Sequence, residues 1–197
     1  DINGTAVANV DFLNNEFTDN GDAGLNVILA DAAQFNNTQF DGNTVTGNDN
    51  FGVHQIATVD AIYNWNFGST SPVGAANDIS GNLNAGLGLE VTDNTVGNIT
   101  IRNSSFDNNQ AGGNTNFFGD GLRVRSAMNA EIRTFDIGDA LVDNTQFNGN
   151  AGDGLGIFMI EQSRIPAIFL QNVTAANNGD DGFGIDRRDN AALAEDL

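Results

Sequence analysis

The sequence predicts an all-β solenoid of parallel sheets, and three observations carry that expectation. A short motif recurs six times, its copies are evenly spaced, and the apolar residues around it alternate with the two-residue period of strands. The motif is an apolar residue, two free positions, Asn, a short turn, Gly, then a second apolar residue. Its copies run from Phe17 through Asn20 to Gly24-Leu25, and from Val45 through Asn48 to Gly52-Val53. They continue from Ile79 through Asn82 to Gly86-Leu87, and from Phe106 through Asn109 to Gly121-Leu122. The last two run from Phe147 through Asn150 to Gly154-Leu155, and from Ala175 through Asn178 to Gly182-Phe183. The closing residues at 25, 53, 87, 122, 155 and 183 lie 28, 34, 35, 33 and 28 positions apart. One unit of this length is too small to bury its own apolar face, so the units must stack.

The elements follow in order. Before the motif lie apolar segments such as Ile99-Thr-Ile101, Leu141-Val142 and Ile168-Phe-Leu170. After the Gly come Leu122-Arg-Val124, Leu155-Gly-Ile157 and Phe183-Gly-Ile185. Phe147 and Leu155 are expected to point inward, and Gly149, Gly152 and Gly154 to turn the chain with positive φ. A side-chain amide is both donor and acceptor, so Asn20, Asn48, Asn82, Asn109, Asn150 and Asn178 are expected to form one hydrogen-bonded ladder. A second Asn register is expected three residues before the first apolar position, at Asn14, Asn103, Asn144 and Asn172. Only the tail, Asn190 to Leu197, has helical character. Loops are expected around Tyr63 to Pro72, Asn116 to Gly119 and Met128 to Asp139.

Composition bounds the function. Twenty-six acidic residues face seven basic ones, for a formal net charge of −19. Such a chain lacks the basic face that nucleic acids or anionic membranes require. It has no run of about 18 apolar residues to insert in a membrane. With no Cys it has neither disulfide framework nor thiol chemistry. The chain is expected to form one domain over residues 1–197, and its start at Asp1 reads as a mature or excised segment of a longer protein. The acidic surface suits an extracellular or cell-surface setting.

The units Ile101-Arg-Asn-Ser-Ser-Phe106-Asp-Asn-Asn, Val142-Asp-Asn-Thr-Gln-Phe147-Asn-Gly-Asn and Asn177-Asn-Gly-Asp-Asp-Gly-Phe183-Gly-Ile resemble the repeats of right-handed parallel β-helices. The family they resemble is the pectate-lyase-like superfamily, in its non-catalytic surface-protein branch. The resemblance implies a right-handed parallel β-helix of about six coils with short loop insertions, and covers residues 9 to 186. It also implies a structural or adhesive rod segment, able to associate end to end. The fold itself hosts many functions.

Four sets of residues carry candidate chemistry. Asp120, Asp153 and Asp181 each lie two residues before a strand, so stacking lines up three carboxylates about 4.8 Å apart. Such a column suits a hard cation such as Ca²⁺. Tyr63 and Trp65, the only Tyr and Trp, could stack on sugar rings if their loop is exposed. Against the family's polysaccharide-cleaving members, Gly179-Asp-Asp181 looks like a fragment of the polygalacturonase motif set. This makes Asp180, Asp181, Asp186, Arg187 and Arg188 the alternative catalytic set, of a lyase or hydrolase. The matching His-Gly and Arg-x-Lys partners are missing, and the sole His, His54, has no partner evident in the sequence.

Overall fold

Residues 1–68, 76–112, 119–139 and 145–193 are described by a computed structural model. Among these residues there is no helix, and every strand pairing is parallel. Three sheets result. A six-stranded sheet holds Leu25–Leu29, Val53–Ala57, Leu87–Val91, Leu122–Ser126, Leu155–Met159 and Phe183–Arg187, each beside the next. The closing residues of the six motifs stand in one row, because Leu25, Val53, Leu87, Leu122, Leu155 and Phe183 are successive register partners. A nine-stranded sheet carries Gln34–Asp41, Ile62–Phe67, Val96–Ile101 and Glu131–Gly138 at its centre. A four-stranded sheet holds Asn77–Asp78, Ser104–Ser105, Thr145–Asn148 and Val173–Ala176.

The strands form because their side chains alternate. Val53–Ala57 and Leu122–Ser126 each read buried, half-buried, buried, half-buried, buried. The buried set faces one continuous apolar core that all three sheets share. Phe106 and Phe147 stack there, 5.1 Å between centroids, as do Trp65 and Phe67 at 4.9 Å.

The six Asn of the motif are joined from end to end. Each side-chain amide donates to the Oδ1 of the Asn one repeat later, at 2.8, 2.8, 3.1, 3.0 and 3.1 Å from Asn20 to Asn178. The backbone N–H of each donates to the same oxygen. The other amide hydrogen reaches back to a carbonyl of the previous repeat, as from Asn48 to Phe17 and from Asn178 to Phe147.

Several expectations are corrected. The second ladder runs one residue later than expected, through Asn15, Asn43 and Asn77 to the Ser104 hydroxyl. Asn14, Asn103 and Asn172 instead take positive φ, the left-handed conformation that Asn tolerates best after Gly; Asn144 lies outside the described residues. Gly149 has φ +66, but Gly152 and Gly154 do not take positive φ. Gly154 is needed for close approach: a Cβ there would stand 2.6 Å from the Gly182 carbonyl oxygen and 2.8 Å from Asn178 Nδ2.

Tyr63 and Trp65 belong to a strand, Ile62–Phe67, rather than to a loop. Glu131–Gly138 is likewise a strand, with a register shift between Ile132 and Thr134 that leaves Arg133 outward. The tail contributes a further strand, Ala192–Leu193, paired with Arg164–Ile165, where helix was expected. The loop expected at Asn116 to Phe118, most of the one after Gly68, the Leu141-Val142 strand and residues 194–197 lie outside the described residues.

Candidate acidic site

The turn between each Asn and the next strand sits at one edge of the six-stranded sheet. Two residues before the strand, the six repeats carry Ala23, Phe51, Ala85, Asp120, Asp153 and Asp181. The three aspartates are linked through the backbone. Asp120 Oδ1 accepts the N–H of Asp153 at 2.8 Å, and Asp153 Oδ1 accepts the N–H of Asp181 at 3.0 Å. Asp120 and Asp153 thus each satisfy a turn donor of the following repeat, which is why Asp serves at this position once it is not apolar.

Arg123, the second residue of its strand, closes the site from the sheet side. Its Nη1 lies 3.2 Å from Asp120 Oδ2 and 3.5 Å from Asp153 Oδ2. Gly156 gives the guanidinium its room, since a Cβ there would come within 2.7 Å of Arg123 Nη1 and of Asp153 Oδ2. The result is a cleft of about 260 Å³ lined by Asp120, Arg123, Asp153, Asp180, Asp181 and Asp186 over a floor that includes Gly184.

The acids are not equivalent. The Asp120 side chain is 1% exposed. Burial pushes its carboxyl up to about 6, against the opposing pull of Arg123 and the Asp153 N–H. Asp153 is raised for the same leading reason, with the charges of Asp180 and Asp181 adding to it. Carboxylate oxygens of Asp153, Asp180 and Asp181 all lie within 4.8 Å of one another, with Asp180 and Asp181 exposed. Of the expected set Asp120, Asp153 and Asp181, the structure therefore places all three in one column. The cluster that could share an ion has Asp180 in place of Asp120, whose oxygens are engaged by Arg123 and the Asp153 N–H.

The alternative catalytic set divides. Asp180, Asp181 and Asp186 line the cleft. Arg187 is the register partner of Met159, a core position, and does not line it. Arg188 is bound to Asp186 at 2.5 Å and lies 5.3 Å from the Phe158 ring. The base that the cleft does contain is Arg123, which sequence reasoning passed over as an ordinary strand residue. Its signal was position: it follows Asp120 by three, on the outward face of a strand.

Tyr63 and Trp65 are withdrawn as a sugar platform. Both are buried in the core, Tyr63 fully and Trp65 to within 1%. Trp65 packs among Phe12, Phe35, Phe40 and Phe67. Burial drives the Tyr63 hydroxyl far above its ordinary value. The polar Asn64 and Asn66 that flank Trp65 are the half-buried, alternate residues of the strand. His54, which lacked an evident partner, lies 3.1 Å from Glu90 and stacks on Phe51 at 4.1 Å. The His54 hydrogen bond, foremost, holds the Glu90 carboxyl below its usual range.

No family model, no curated protein and no solved structure matches the chain.

Proposed function

We propose that the chain is a right-handed parallel β-helix of about six coils with short loop insertions, and that it serves as a structural or adhesive rod segment of an extracellular surface protein or filament. The observation that carries this reading is the unbroken column from Asn20 to Asn178, whose hydrogen bonds run from repeat to repeat rather than toward any cleft. A chain that invests its buried polar groups along one axis gains stability with each added unit, which is the economy of a rod. Incubation with pectin or alginate should release no unsaturated or reducing sugar ends. Release that disappears in Asp181→Ala would overturn this reading in favour of a carbohydrate-active domain using Asp180, Asp181, Asp186 and Arg123.

A second role is supported by the clustered oxygens of Asp153, Asp180 and Asp181. In this reading the turn column binds a divalent cation of the Ca²⁺ type, which bridges the last two repeats and relieves the repulsion among their carboxylates. Millimolar Ca²⁺ should then raise the melting temperature and a chelator lower it, with the response lost in Asp153→Asn. An unchanged melting curve in both conditions ends the idea.

A further inference from the structure

The outward face of the nine-stranded sheet carries a further set of amides, midway along the molecule. In Gln34–Asp41, Ile62–Phe67 and Val96–Ile101, side chains that enter the core alternate with side chains that do not. Register places Asn64 beside Asn98, and Asn66 between Gln39 and Thr100. Asn36 extends the first of these rows, since its Oδ1 accepts from Asn64 at 3.2 Å. The two rows run along the stacking direction, roughly 7 Å apart, the length of two strand residues. Ile62, 37% exposed, and its register partner Val96 lie beside them on the same face as a short apolar strip.

Two properties set this face apart. The first is charge. On a chain with 26 acidic residues, both rows and the strip are uncharged. Charge begins at the borders: at Asp41, and at the fourth strand, where Asp136 is held by Arg102 at 2.6 Å and Glu131 by Arg133 at 3.1 Å. The corresponding outward positions of the six-stranded sheet hold His54, Glu90, Arg123 and Arg125.

The second is unspent hydrogen-bonding capacity. A side-chain amide has two donor hydrogens. In the buried column Asn48 and Asn82 spend both, on the next Asn and on a carbonyl. In the outward row Asn98 donates to Asn64 at 2.5 Å, Asn64 to Asn36 at 3.2 Å and Asn36 to Gln34 at 3.2 Å, one hydrogen each. Among the described residues nothing takes up the Asn66 amide or the Thr100 hydroxyl. The bonds within the row also fix the amides, so little side-chain freedom remains to be lost when a ligand arrives.

An uncharged pyranose chain answers both properties. Its hydroxyls donate and accept at once, as amides do, and its C–H faces suit Ile62 and Val96. An anionic polysaccharide would instead meet a chain of net charge −19, with Arg102 and Arg133 at the border already held by acids. The geometry points to this face as a binding site for a neutral polysaccharide, lying along the rod between the Asn36–Asn64–Asn98 row and the Gln39–Asn66–Thr100 row. The inference rests on the rod reading above and names what its adhesive face takes. The residues that serve it are the alternates of Tyr63 and Trp65, on the opposite side of their strand.

Affinity electrophoresis of the 197-residue chain tests the site. The gels contain β-1,3-glucan, mannan, dextran or hydroxyethyl cellulose as neutral polymers, and alginate as the anionic one. At least one neutral polymer should retard the chain, and alginate should not. Asn66→Asp and Thr100→Val break no side-chain hydrogen bond among the described residues, so each should keep the wild-type melting temperature. Each should nonetheless raise the dissociation constant read from the retardation about fivefold, the worth of one hydrogen bond. Thr174→Val, outward on the four-stranded sheet, should leave it unchanged. No retardation by any neutral polymer, stronger retardation by alginate, or retardation that both variants leave intact overturns the site and leaves the rod reading standing. Release of reducing ends that disappears in Asp181→Ala would sink the rod reading and leave the retardation result untouched.

Discussion

The position two residues before each strand of the six-stranded sheet is apolar in the first three repeats and acidic in the last three. Ala23, Phe51 and Ala85 form a small apolar cluster there, and the Phe51 ring lies on His54. Asp120, Asp153 and Asp181 occupy the same backbone place, and the first two take up the turn N–H one repeat onward. The frame around both is identical: an Asn of the ladder before, a close-packed Gly after. The difference teaches that the repeat fixes where a side chain stands, while its chemistry remains free to vary. Two charges at the spacing of neighbouring strands repel by about 1 kcal/mol in water and more when buried. An acidic column is therefore a cost accepted in one half of the molecule only, and Arg123 and the backbone donors offset part of it.

The frame itself can be broken most severely. Leu155 is 2% exposed and packed on both sides, so Leu155→Ala should cost about 2–5 kcal/mol. Phe183, in the same row but in the last repeat, is 41% exposed. Phe183→Ala should cost less than half as much, although it deletes more atoms. Urea unfolding of the two variants compares interior with end, and equal losses would mean that the end is covered.

The buried Asp120 carboxyl should give the acidic turn a pH response that Ala23, Phe51 and Ala85 cannot give at the same position. The Asp120 carboxyl is raised to about 6 in the folded chain, so it holds its proton more tightly there than in the unfolded chain. Its contribution to stability is fully present below pH of about 4 and is lost as pH rises through about 6. A shift of this size corresponds to roughly 3 kcal/mol at pH 7. Asp120→Asn should match the wild type near pH 4 and exceed it in stability at pH 7, by up to about that amount. That amount is already net of the Arg123 ion pair, which pulls the carboxyl down against its burial. A stability difference independent of pH would place the burial penalty elsewhere.

Much of this frame was legible because the Asn and Gly recur at offsets that backbone geometry forces. The anchors Phe147 and Leu155 point inward as their spacing required. What was lost concerns residues that serve two conformations with one chemistry. Asn suits both the ladder and a left-handed turn, so Asn14 and Asn15 could not be told apart without φ. Tyr63 and Trp65 resembled a loop because Asn64 and Asn66 separate them, yet alternation with polar residues is also how a strand over a core reads. The cleft was half legible: the Asp column follows from spacing alone, whereas Arg123 reaches it only through the three-dimensional gap left at Gly156.

Gln162 provides the smallest expected effect. With Glu161 it forms a pair of positive-φ residues that recurs at Asp31-Ala32, Val59-Asp60, Asp93-Asn94, Met128-Asn129 and Asp189-Asn190. It thus belongs to the repeat register, contrary to its featureless sequence. Its side chain is exposed, and Ala adopts the same backbone at similar cost. Gln162→Ala should therefore shift stability by less than about 0.5 kcal/mol. A loss near that of Leu155→Ala would mean that the core and surface are misassigned.

The central claim is that hydrogen bonds along the Asn column hold one repeat to the next. Asn150 both receives bonds from Asn109 and gives them to Asn178, whereas Asn20 only gives. Removing Asn150 strands the buried donors of its neighbour, a loss of about 1–3 kcal/mol. Removing Asn20 leaves no donor without its acceptor. Urea denaturation of Asn150→Ala and Asn20→Ala, measured side by side, should show the first clearly destabilised and the second close to wild type. Equal stability of the two variants would contradict the claim.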